Sequence, residues 1–334
     1  MVKSVIIRVV VVVVGILAVV FGRSFLYPDG YYEAPQIESP TYTQVATPLE
    51  PSTKYTDSFV LSEGTILFDV AHENAFSIEE LNVLILRLVT RGLTVDFLSV
   101  EDSLEERLLG EQQDSGLGYT TDQSKGNTFE EEEQEAQEEV LEEEDPAESS
   151  TEEEEEILEE EEEPLPSAFV IICPQQEFAR DDIDSISKFV KDGGKLLLID
   201  DPTRHVLTNM VSYNFGLVFE PDYLYNMVEN DANYRNIFIT RFEENSTTEK
   251  LSKIVLYTAG SISSDNLGIA FSDENTYSSQ IETRKELSPI ALAEESKVLA
   301  IYDLTFLIEP YNGILDNNQL ISNIADWLAN NTHD

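Results

Sequence analysis

The sequence predicts an α/β domain with a mostly parallel, open sheet and helices on both faces, preceded by one transmembrane helix. Short apolar runs alternate with amphipathic segments of helical period through much of the chain. Such alternation of strands and helices is typical of a sheet covered on both faces. The transmembrane helix is predicted because residues 4–22 contain a single charged residue, Arg8.

Residues 1–26 are predicted to form a membrane anchor. As a helix, residues 4–22 would extend about 28 Å, close to the thickness of the hydrocarbon core. Lys3 and Arg8 precede the apolar core and only Arg23 closely follows it. The positive-inside rule therefore places the N-terminus in the cytoplasm and the rest of the chain outside. The alternative is a cleaved signal peptide, which would release a soluble, secreted protein.

Residues 27–57 are predicted to be an extended stalk. The segment is rich in proline, tyrosine, threonine and serine and shows no apolar periodicity. Proline-rich segments of this kind act as semi-rigid spacers. Fully stretched, the segment would reach about 100 Å at most.

The first part of the folded domain is predicted to be a strand–helix–strand unit. Apolar runs at residues 65–70 and 93–98 are typical of buried strands. The segment between them has helical spacing, begins with a capping box of Ser77 and Glu80, and stops at Gly92. A connection of this type between parallel strands is right-handed.

A second unit of the same kind follows later in the chain. Residues 167–174 and 195–200 are predicted strands, and residues 181–194 between them are a predicted helix. Another buried strand is predicted within residues 297–307, and an amphipathic helix within residues 317–331 closes the domain.

Residues 58–100 and 167–330 are therefore expected to form one domain, interrupted by an insertion at residues 101–166. The insertion carries 22 Asp or Glu residues between Glu130 and Glu163. Charge blocks repel one another and bury little apolar surface, so we predict a largely disordered loop. The functional alternatives are a segment that binds a basic partner and a segment that binds divalent cations weakly. The tract lacks the tight, glycine-containing turns of calcium sites.

The charge and composition of the chain argue against several functions. The formal net charge is −46, and without the acidic tract 44 acidic residues remain against 20 basic ones, a net charge of −24. Such a chain is not expected to bind nucleic acid. With one cysteine, Cys173, and three histidines, it cannot form an internal disulfide and is not expected to hold zinc. No glycine-rich phosphate loop follows a strand, and we expect no cofactor.

Polar residues are expected to converge at the carboxyl ends of the predicted strands, where open α/β sheets bind their ligands. Carboxylates, an amide and an imidazole could hold a magnesium ion or a polyol. The alternative is structural, because Asp and Asn after a strand commonly cap helices or form Asx turns, and a histidine there can bridge two loops. The candidate ligand-binding residues are Asp69, His72, Asn74, Asp200, Asp201 and Asp303.

Two stretches, FDVAHENAFSIEELNVLILRLVTRGLTVDFL and AFVIICPQQEFARDDIDSISKFVKDGGKLLLIDDPT, resemble the class I glutamine amidotransferase-like fold. More narrowly, they are similar to membrane-anchored archaeal and bacterial members of it. Those members are akin to the gliding-motility-type auxiliary component of ABC transporters and to the amidotransferase-like domain of intraflagellar transport proteins. The resemblance covers residues 58–330 without the acidic insertion.

The resemblance implies that an amidotransferase nucleophile would lie in the turn after residues 195–200. That turn holds Asp200, Asp201 and Pro202 instead of a cysteine. A carboxylate cannot replace the thiolate in that reaction, and proline has no N–H to offer to an oxyanion. Cys173 lies on the preceding predicted strand, directly before Pro174, and is expected to be a small buried core residue.

The predicted function is a non-catalytic, membrane-anchored binding or assembly module with protein partners in a membrane complex. The resemblance implies an auxiliary component of an ABC-type transporter or envelope complex. The alternative is a ligand- or metal-binding sensor or a hydrolase that uses the crevice around Asp69, His72, Asp200 and Asp201.

Two N-glycosylation sequons begin at Asn245 and Asn330, although so short a motif also arises by chance.

Overall fold

The chain divides into two compact units, Met1–Ala46 and Thr47–Asp334. The acidic tract lies outside the described residues, as do residues 27–46 of the predicted stalk. The predictions made for those two segments therefore stay predictions. The computed structural model describes residues 2–26, 47–52, 55–110, 164–280 and 286–330.

The first unit contains helix α1, Val2–Leu26. Side chains of α1 are described at Ile6 and at residues 10–21, and they are exposed. Within the described part of the chain, none of the helices has both the length and the apolar character needed to cross a membrane.

The second unit is built from alternating strands and helices, with further strands in its C-terminal half. Its described helices are α2 (Ile78–Thr90), α3 (Leu104–Leu109), α4 (Arg180–Lys191), α5 (Asn209–Ser212) and α6 (Asn317–Ala329). Its described strands are β1 (Thr65–Asp69), β2 (Thr94–Leu98), β3 (Ala168–Ile172), β4 (Lys195–Asp200), β5 (Val218–Phe219), β6 (Leu224–Asn226), β7 (Asn236–Phe242), β8 (Ile254–Tyr257), β9 (Ile262–Ser263), β10 (Gly268–Ser272), β11 (Thr276–Ser278), β12 (Ile290–Ala293) and β13 (Val298–Tyr302).

Among the described residues, nine strands form one sheet in the order β2-β1-β3-β4-β13-β12-β10-β7-β8. The strands from β2 to β13 pair in parallel. Those from β13 to β8 pair antiparallel. The predicted α/β class with a large, mostly parallel or mixed sheet is confirmed, and the part from β13 to β8 is antiparallel. The antiparallel pairing follows from the connections between these strands. Parallel neighbours need a long crossover, usually an α-helix, and no α-helix is described between β7 and β13.

Helices cover both faces of the sheet. On one face, α2 and α6 pack against Ile66 and Phe68 of β1. On the other face, α3 and α4 pack against the side of the sheet that carries Leu67. Successive side chains of a strand point to opposite faces, so one short apolar strand supplies both cores.

Helix α2 begins and ends at the predicted signals. The backbone N–H of Ser77 donates to Oε2 of Glu80 over 2.8 Å, which satisfies a donor at the helix start. After the helix, Gly92 has a φ of +92°, and a Cβ there would lie 2.7 Å from the Ser62 carbonyl oxygen. Glycine therefore allows both the left-handed turn and the close approach of the segment before β1.

The folded unit begins before the predicted boundary at residue 58. The Ser52 N–H donates to the Gly313 carbonyl over 2.7 Å. The Asp57 carboxylate lies 3.1 Å from Nη1 of Arg91. Residues 47–57 were predicted as stalk because they lack apolar periodicity, yet their described part packs on the domain through polar contacts.

Helix α3 belongs to the folded domain, although it lies within the predicted insertion. The predicted insertion runs over residues 101–166, but Leu104 and Leu108 of α3 are buried in the core shared with α4. Their spacing of four residues places both on one face of the helix.

Candidate functional site

Four neighbouring parallel strands, β1, β3, β4 and β13, end at one edge of the sheet. Asp69 ends β1, Cys173 follows β3, Asp200 ends β4, and Asp303 follows β13. The structure therefore brings the predicted strand ends together. The contacts of each side chain decide what this edge can do.

The Asp69 carboxylate organises the loop after β1. Its Oδ1 accepts from the Ala71 N–H over 3.1 Å and lies 2.8 Å from Nδ1 of His72. Its Oδ2 accepts from Nδ2 of Asn74 over 3.2 Å, and the same nitrogen donates to the Ile172 carbonyl over 2.8 Å. Both oxygens are engaged within the chain, as in an Asx turn.

His72 joins two loops at this edge. Its ring stacks on Phe178 with 3.7 Å between the ring centroids. Its carbonyl oxygen accepts the N–H groups of Gln175 and Gln176, both over 2.9 Å. These contacts tie the loop after β1 to the loop after β3, which matches the structural alternative for His72.

Asp201 occupies the position implied for a nucleophile and acts as a turn cap. Its Oδ1 accepts from the N–H of Thr203 over 2.8 Å and from the Thr203 hydroxyl over 2.5 Å. Its Oδ2 accepts from the Leu304 N–H over 3.3 Å. The carboxylate is buried and holds the turn after β4 against the turn after β13.

Asp303 is tied to the antiparallel half of the sheet. Its Oδ2 accepts from the N–H of Tyr257 over 2.7 Å, and its Oδ1 from the N–H of Thr305 over 2.8 Å. Complete burial raises the pKa of Asp303 well above its usual value, and the nearby Asp201 carboxylate adds to the rise. Its role is to fasten β8 to the end of β13.

Asp200 differs from these three carboxylates because it lies next to a buried hydroxyl, that of Thr208. Its side chain is buried, and Oδ1 accepts from the Asp201 N–H over 2.6 Å. Burial raises the pKa of Asp200 to about 7, and the Asp201 carboxylate adds to the rise, while the hydrogen bond from the Asp201 N–H opposes it. Thr208 Oγ1 is itself buried and, within the described residues, has no hydrogen-bond partner of normal geometry. The Thr208 hydroxyl is therefore an unsatisfied polar group beside the Asp200 carboxylate.

Cys173 is buried, as predicted, and its backbone is left-handed with a φ of +44°. Its N–H donates to the Ile199 carbonyl over 2.9 Å, and its carbonyl accepts from the Ala75 N–H over 2.8 Å. Burial raises the pKa of the thiol, and the Asp200 carboxylate adds to the rise. Because the thiolate is the nucleophilic form, this environment opposes reactivity.

Arg204 completes the edge and was missed in the sequence. Its Nη2 donates to Oε1 of Glu80 over 2.6 Å, and its Nη1 donates to the Ala75 carbonyl. The capping box marked Glu80, but no local signal pairs it with an arginine 124 residues away. Among the described residues, no group of three or more His, Cys, Asp or Glu side chains could hold a metal ion.

A second feature, which we call the tyrosine face, consists of Tyr223, Tyr225, Tyr234, Tyr277 and Arg235. The rings of Tyr225 and Tyr277 stack with centroids 5.8 Å apart, and Tyr234 meets Tyr225 edge-on at 6.3 Å. The Arg235 guanidinium lies 4.3 Å from the Tyr223 ring centroid. Tyr234 and Tyr277 are 40% and 47% exposed.

The tyrosine face arises from the small ribbon in which β6 pairs with β11. Tyr223 and Tyr225 are two residues apart in the chain, so an extended backbone places them on one side. Met227 and Val228, which follow β6, are also exposed. The cluster of aromatic residues within residues 223–235 was the signal for this face. The pairing with Tyr277 is visible only in the fold.

No protein-family model and no curated protein matches the chain. Among solved structures, it is similar to the chain described as "mmIFT52 N-terminal domain", with a TM-score of 0.53 and 11% identity over 80% of this chain and 99% of that chain. It is also similar to a ThuA-like protein from Parabacteroides merdae, with a TM-score of 0.35 and 9% identity over 82% of this chain and 92% of that chain. A third similarity is to an exo-β-1,4-mannosidase from an Opitutaceae bacterium, with a TM-score of 0.37 and 12% identity over 81% and 37% of the respective chains. The chain therefore shares the fold of the IFT52 N-terminal domain, which confirms that part of the resemblance at the level of the fold.

Proposed function

We propose that the chain is a non-catalytic, membrane-anchored binding or assembly module. The observation that carries this proposal is that Asp69, Asp201 and Asp303 use both carboxylate oxygens on hydrogen bonds within the chain. A hydrolytic site needs a nucleophile and a base that can reach a substrate. These carboxylates hold turns instead, and the thiol of Cys173 is buried.

The anchoring part of the proposal rests on the sequence. Residues 4–22 contain one charged residue, and the described side chains of α1 between residues 10 and 21 are exposed and almost all apolar. Exposed apolar side chains on a helix are stable in a lipid environment. The distribution of Lys3, Arg8 and Arg23 supports placing the second unit outside the cytoplasm.

Membrane fractionation tests the anchor. The full-length protein should sediment with membranes and resist extraction at alkaline pH, whereas a protein that lacks residues 1–26 should be soluble. Val13→Arg, which puts a charge in the middle of the apolar stretch, should weaken retention. Full-length protein in the soluble fraction would contradict anchoring.

The tyrosine face is the surface that we propose for a protein partner. Tyrosine, methionine and arginine are enriched in the central part of protein interfaces and among the residues that dominate binding energy. The net charge of −46 disfavours nucleic acid as the occupant. The resemblance to auxiliary proteins favours a component of an ABC-type transporter or envelope complex as the partner.

A comparative pull-down from solubilised membranes tests this surface. The double variant Tyr234→Ala/Tyr277→Ala should lose at least about 10-fold of the recovered partner. The control is Tyr213→Ala, which removes a tyrosine that is 60% exposed and lies outside the tyrosine face. Recovery of a transporter or envelope component by the wild type and the control, but not by the double variant, would support the proposal. Equal recovery with all three proteins would rule out the face, and no specific recovery would rule out a stable assembly module.

A ligand- or metal-binding sensor or a hydrolase at Asp69, His72, Asp200 and Asp201 is the second candidate. The unpartnered hydroxyl of Thr208, next to Asp200, favours it, because an unpaired buried hydroxyl is unusual. Calorimetric titration with Mg²⁺ should then give binding in the wild type that is lost in His72→Ala and Asp200→Asn. Absence of binding in the wild type would count against the metal-binding form of this candidate.

A further inference from the structure

We infer that Asn245 is a site of N-linked glycosylation, an inference that rests on the proposed position of the second unit outside the cytoplasm. Asn245, Ser246 and Thr247 form a sequon on the turn that follows β7. The sequence alone gives this motif little weight. The hydrogen bonds of the Asn245 side chain and the space beside it support glycosylation at this residue.

The two ends of the Asn245 amide have different roles. Its Oδ1 accepts from the Thr247 N–H over 2.9 Å and from the Thr247 hydroxyl over 2.5 Å, which caps the short turn Ser246–Thr248. Its Nδ2 donates to the Glu243 carbonyl over 3.2 Å. A primary amide nitrogen carries two hydrogens, so a sugar can replace one while the other continues to donate. The cap uses the oxygen, so attachment of a sugar leaves it intact.

There is also space for a sugar beside Asn245. The side chain lines an open cavity of about 940 Å³, together with Glu243, Glu244 and Ser263. Ser246, the middle residue of the sequon, is exposed, and Asn245 is half-buried. A first sugar residue can therefore lie against this groove, and later ones can extend into solvent.

The group transfer needs a sugar donor that the cell supplies. The co-reactant is an oligosaccharide linked through its anomeric carbon to a lipid phosphate, together with its membrane transferase. A bond forms between Nδ2 of Asn245 and the anomeric carbon, and the bond from that carbon to the phosphate oxygen breaks. The amide loses one proton to a base of the transferase, and the lipid phosphate leaves with the bonding electrons.

The second sequon supplies an internal comparison. Asn330 follows α6, and its carbonyl accepts a hydrogen bond from Nζ of Lys195. Its threonine, Thr332, lies outside the described residues. Nothing in the described geometry therefore favours Asn330, and the same substitution can be made at both positions.

The test uses the full-length protein in a host that performs N-glycosylation at its membrane, with intact mass and peptide mapping as readouts. Asn245→Asp keeps an oxygen acceptor for the Thr247 N–H and removes the nitrogen that would carry the sugar. We expect the wild type and Asn330→Asp to carry a glycan at residue 245, and Asn245→Asp to lose that mass. An Asn-Gly-Thr tag after Asp334 reports independently whether the unit reaches the side of the transferase.

The tag separates the two ways in which the inference can fail. Glycosylation of the tag with an unmodified Asn245 would overturn the inference and leave the proposed topology in place. An unmodified tag together with an unmodified Asn245 would overturn both. Comparable secondary structure of wild type and Asn245→Asp by circular dichroism would show that loss of the glycan does not reflect misfolding.

Discussion

Arg91 is fully buried, and its Nε donates to Oδ1 of Asp326 over 2.7 Å. Its Nη1 lies 3.1 Å from Oδ2 of Asp57, and its Nη2 donates to the Ser322 hydroxyl over 2.9 Å. A buried charge is stable in a protein only when it is paired and hydrogen-bonded. Through Arg91, the segment before β1 is fastened to both α2 and α6.

Asp57→Ala should lower the free energy of unfolding at neutral pH by about 1–3 kcal/mol, because Arg91 stays buried with one carboxylate fewer. Burial by itself would raise the pKa of Asp57, but hydrogen bonds from Arg91 and Ser322 outweigh it and lower the pKa. The stabilisation by Asp57 is therefore fully present at pH values above the usual pKa of an aspartate. It is lost as the pH falls through the lowered pKa of Asp57 in the folded state. Urea unfolding at neutral pH and in acid measures this, with the exposed Asp184→Ala as control. Equal stability of the two variants at neutral pH would contradict the prediction.

A protein that begins at residue 63 should be less stable than one that begins at residue 47. The shorter protein lacks the Ser52 N–H donated to Gly313, the Ser62 hydroxyl donated to Ala329, and the Asp57 partner of Arg91. At about 1 kcal/mol for each hydrogen bond and more for a charged pair, the loss is roughly 3–5 kcal/mol. Thermal and urea unfolding of the two proteins measures the difference. Indistinguishable unfolding would mean that residues 47–62 only lie on the surface.

The parallel half of the fold could be predicted because its signals are local. The helix between Ser77 and Gly92 shows its capping residues and its apolar period within 16 residues of sequence, and β3 and β4 are short apolar runs. The order of the antiparallel strands has no such local signal. The pairing of β7 with β10 depends on register across distant segments. The separate ribbon of β5 and β9 consists of strands only two residues long.

The residues of the candidate site could be predicted from the sequence, but their hydrogen-bond partners could not. A local rule placed Asp69, Asp200 and Asp303 at strand ends. The groups that satisfy them are distant, as with the Tyr257 N–H that reaches Asp303 from 46 residues away. Whether a carboxylate binds a ligand or caps a turn depends on such partners, which no pattern in one sequence reveals.

Asp200→Asn should remove a pH dependence of stability. The pKa of Asp200 is about 7 in the folded chain against a usual value of 3.8. Between these values the folded state holds a proton that the unfolded state has released, so wild-type stability falls as the pH rises through this window. Each pH unit between the two pKa values changes the stability by about 1.4 kcal/mol, so the full effect is about 4 kcal/mol.

Urea unfolding from about pH 4 to about pH 8 tests this dependence on Asp200. Asparagine keeps the shape and the acceptor for the Asp201 N–H, so Asp200→Asn should gain stability over the wild type as the pH rises. The exposed Asp184→Asn is the matched control. If the wild-type and Asp200→Asn curves run parallel across the range, Asp200 does not take up a proton in the folded state.

Cys173 should be unreactive in the folded protein, and because it is the only cysteine, its labelling can be read without interference. Burial raises the pKa of its thiol, and the thiolate is the form that attacks a disulfide reagent. An aromatic disulfide should therefore label the folded protein about 100-fold or more slowly than the protein in urea. The control is Cys173→Ala/Ser279→Cys, which moves the thiol to an exposed position and should react quickly while folded. Rapid labelling of native Cys173 would show that solvent reaches the end of β3, and a nucleophilic role for this thiol would then have to be reconsidered.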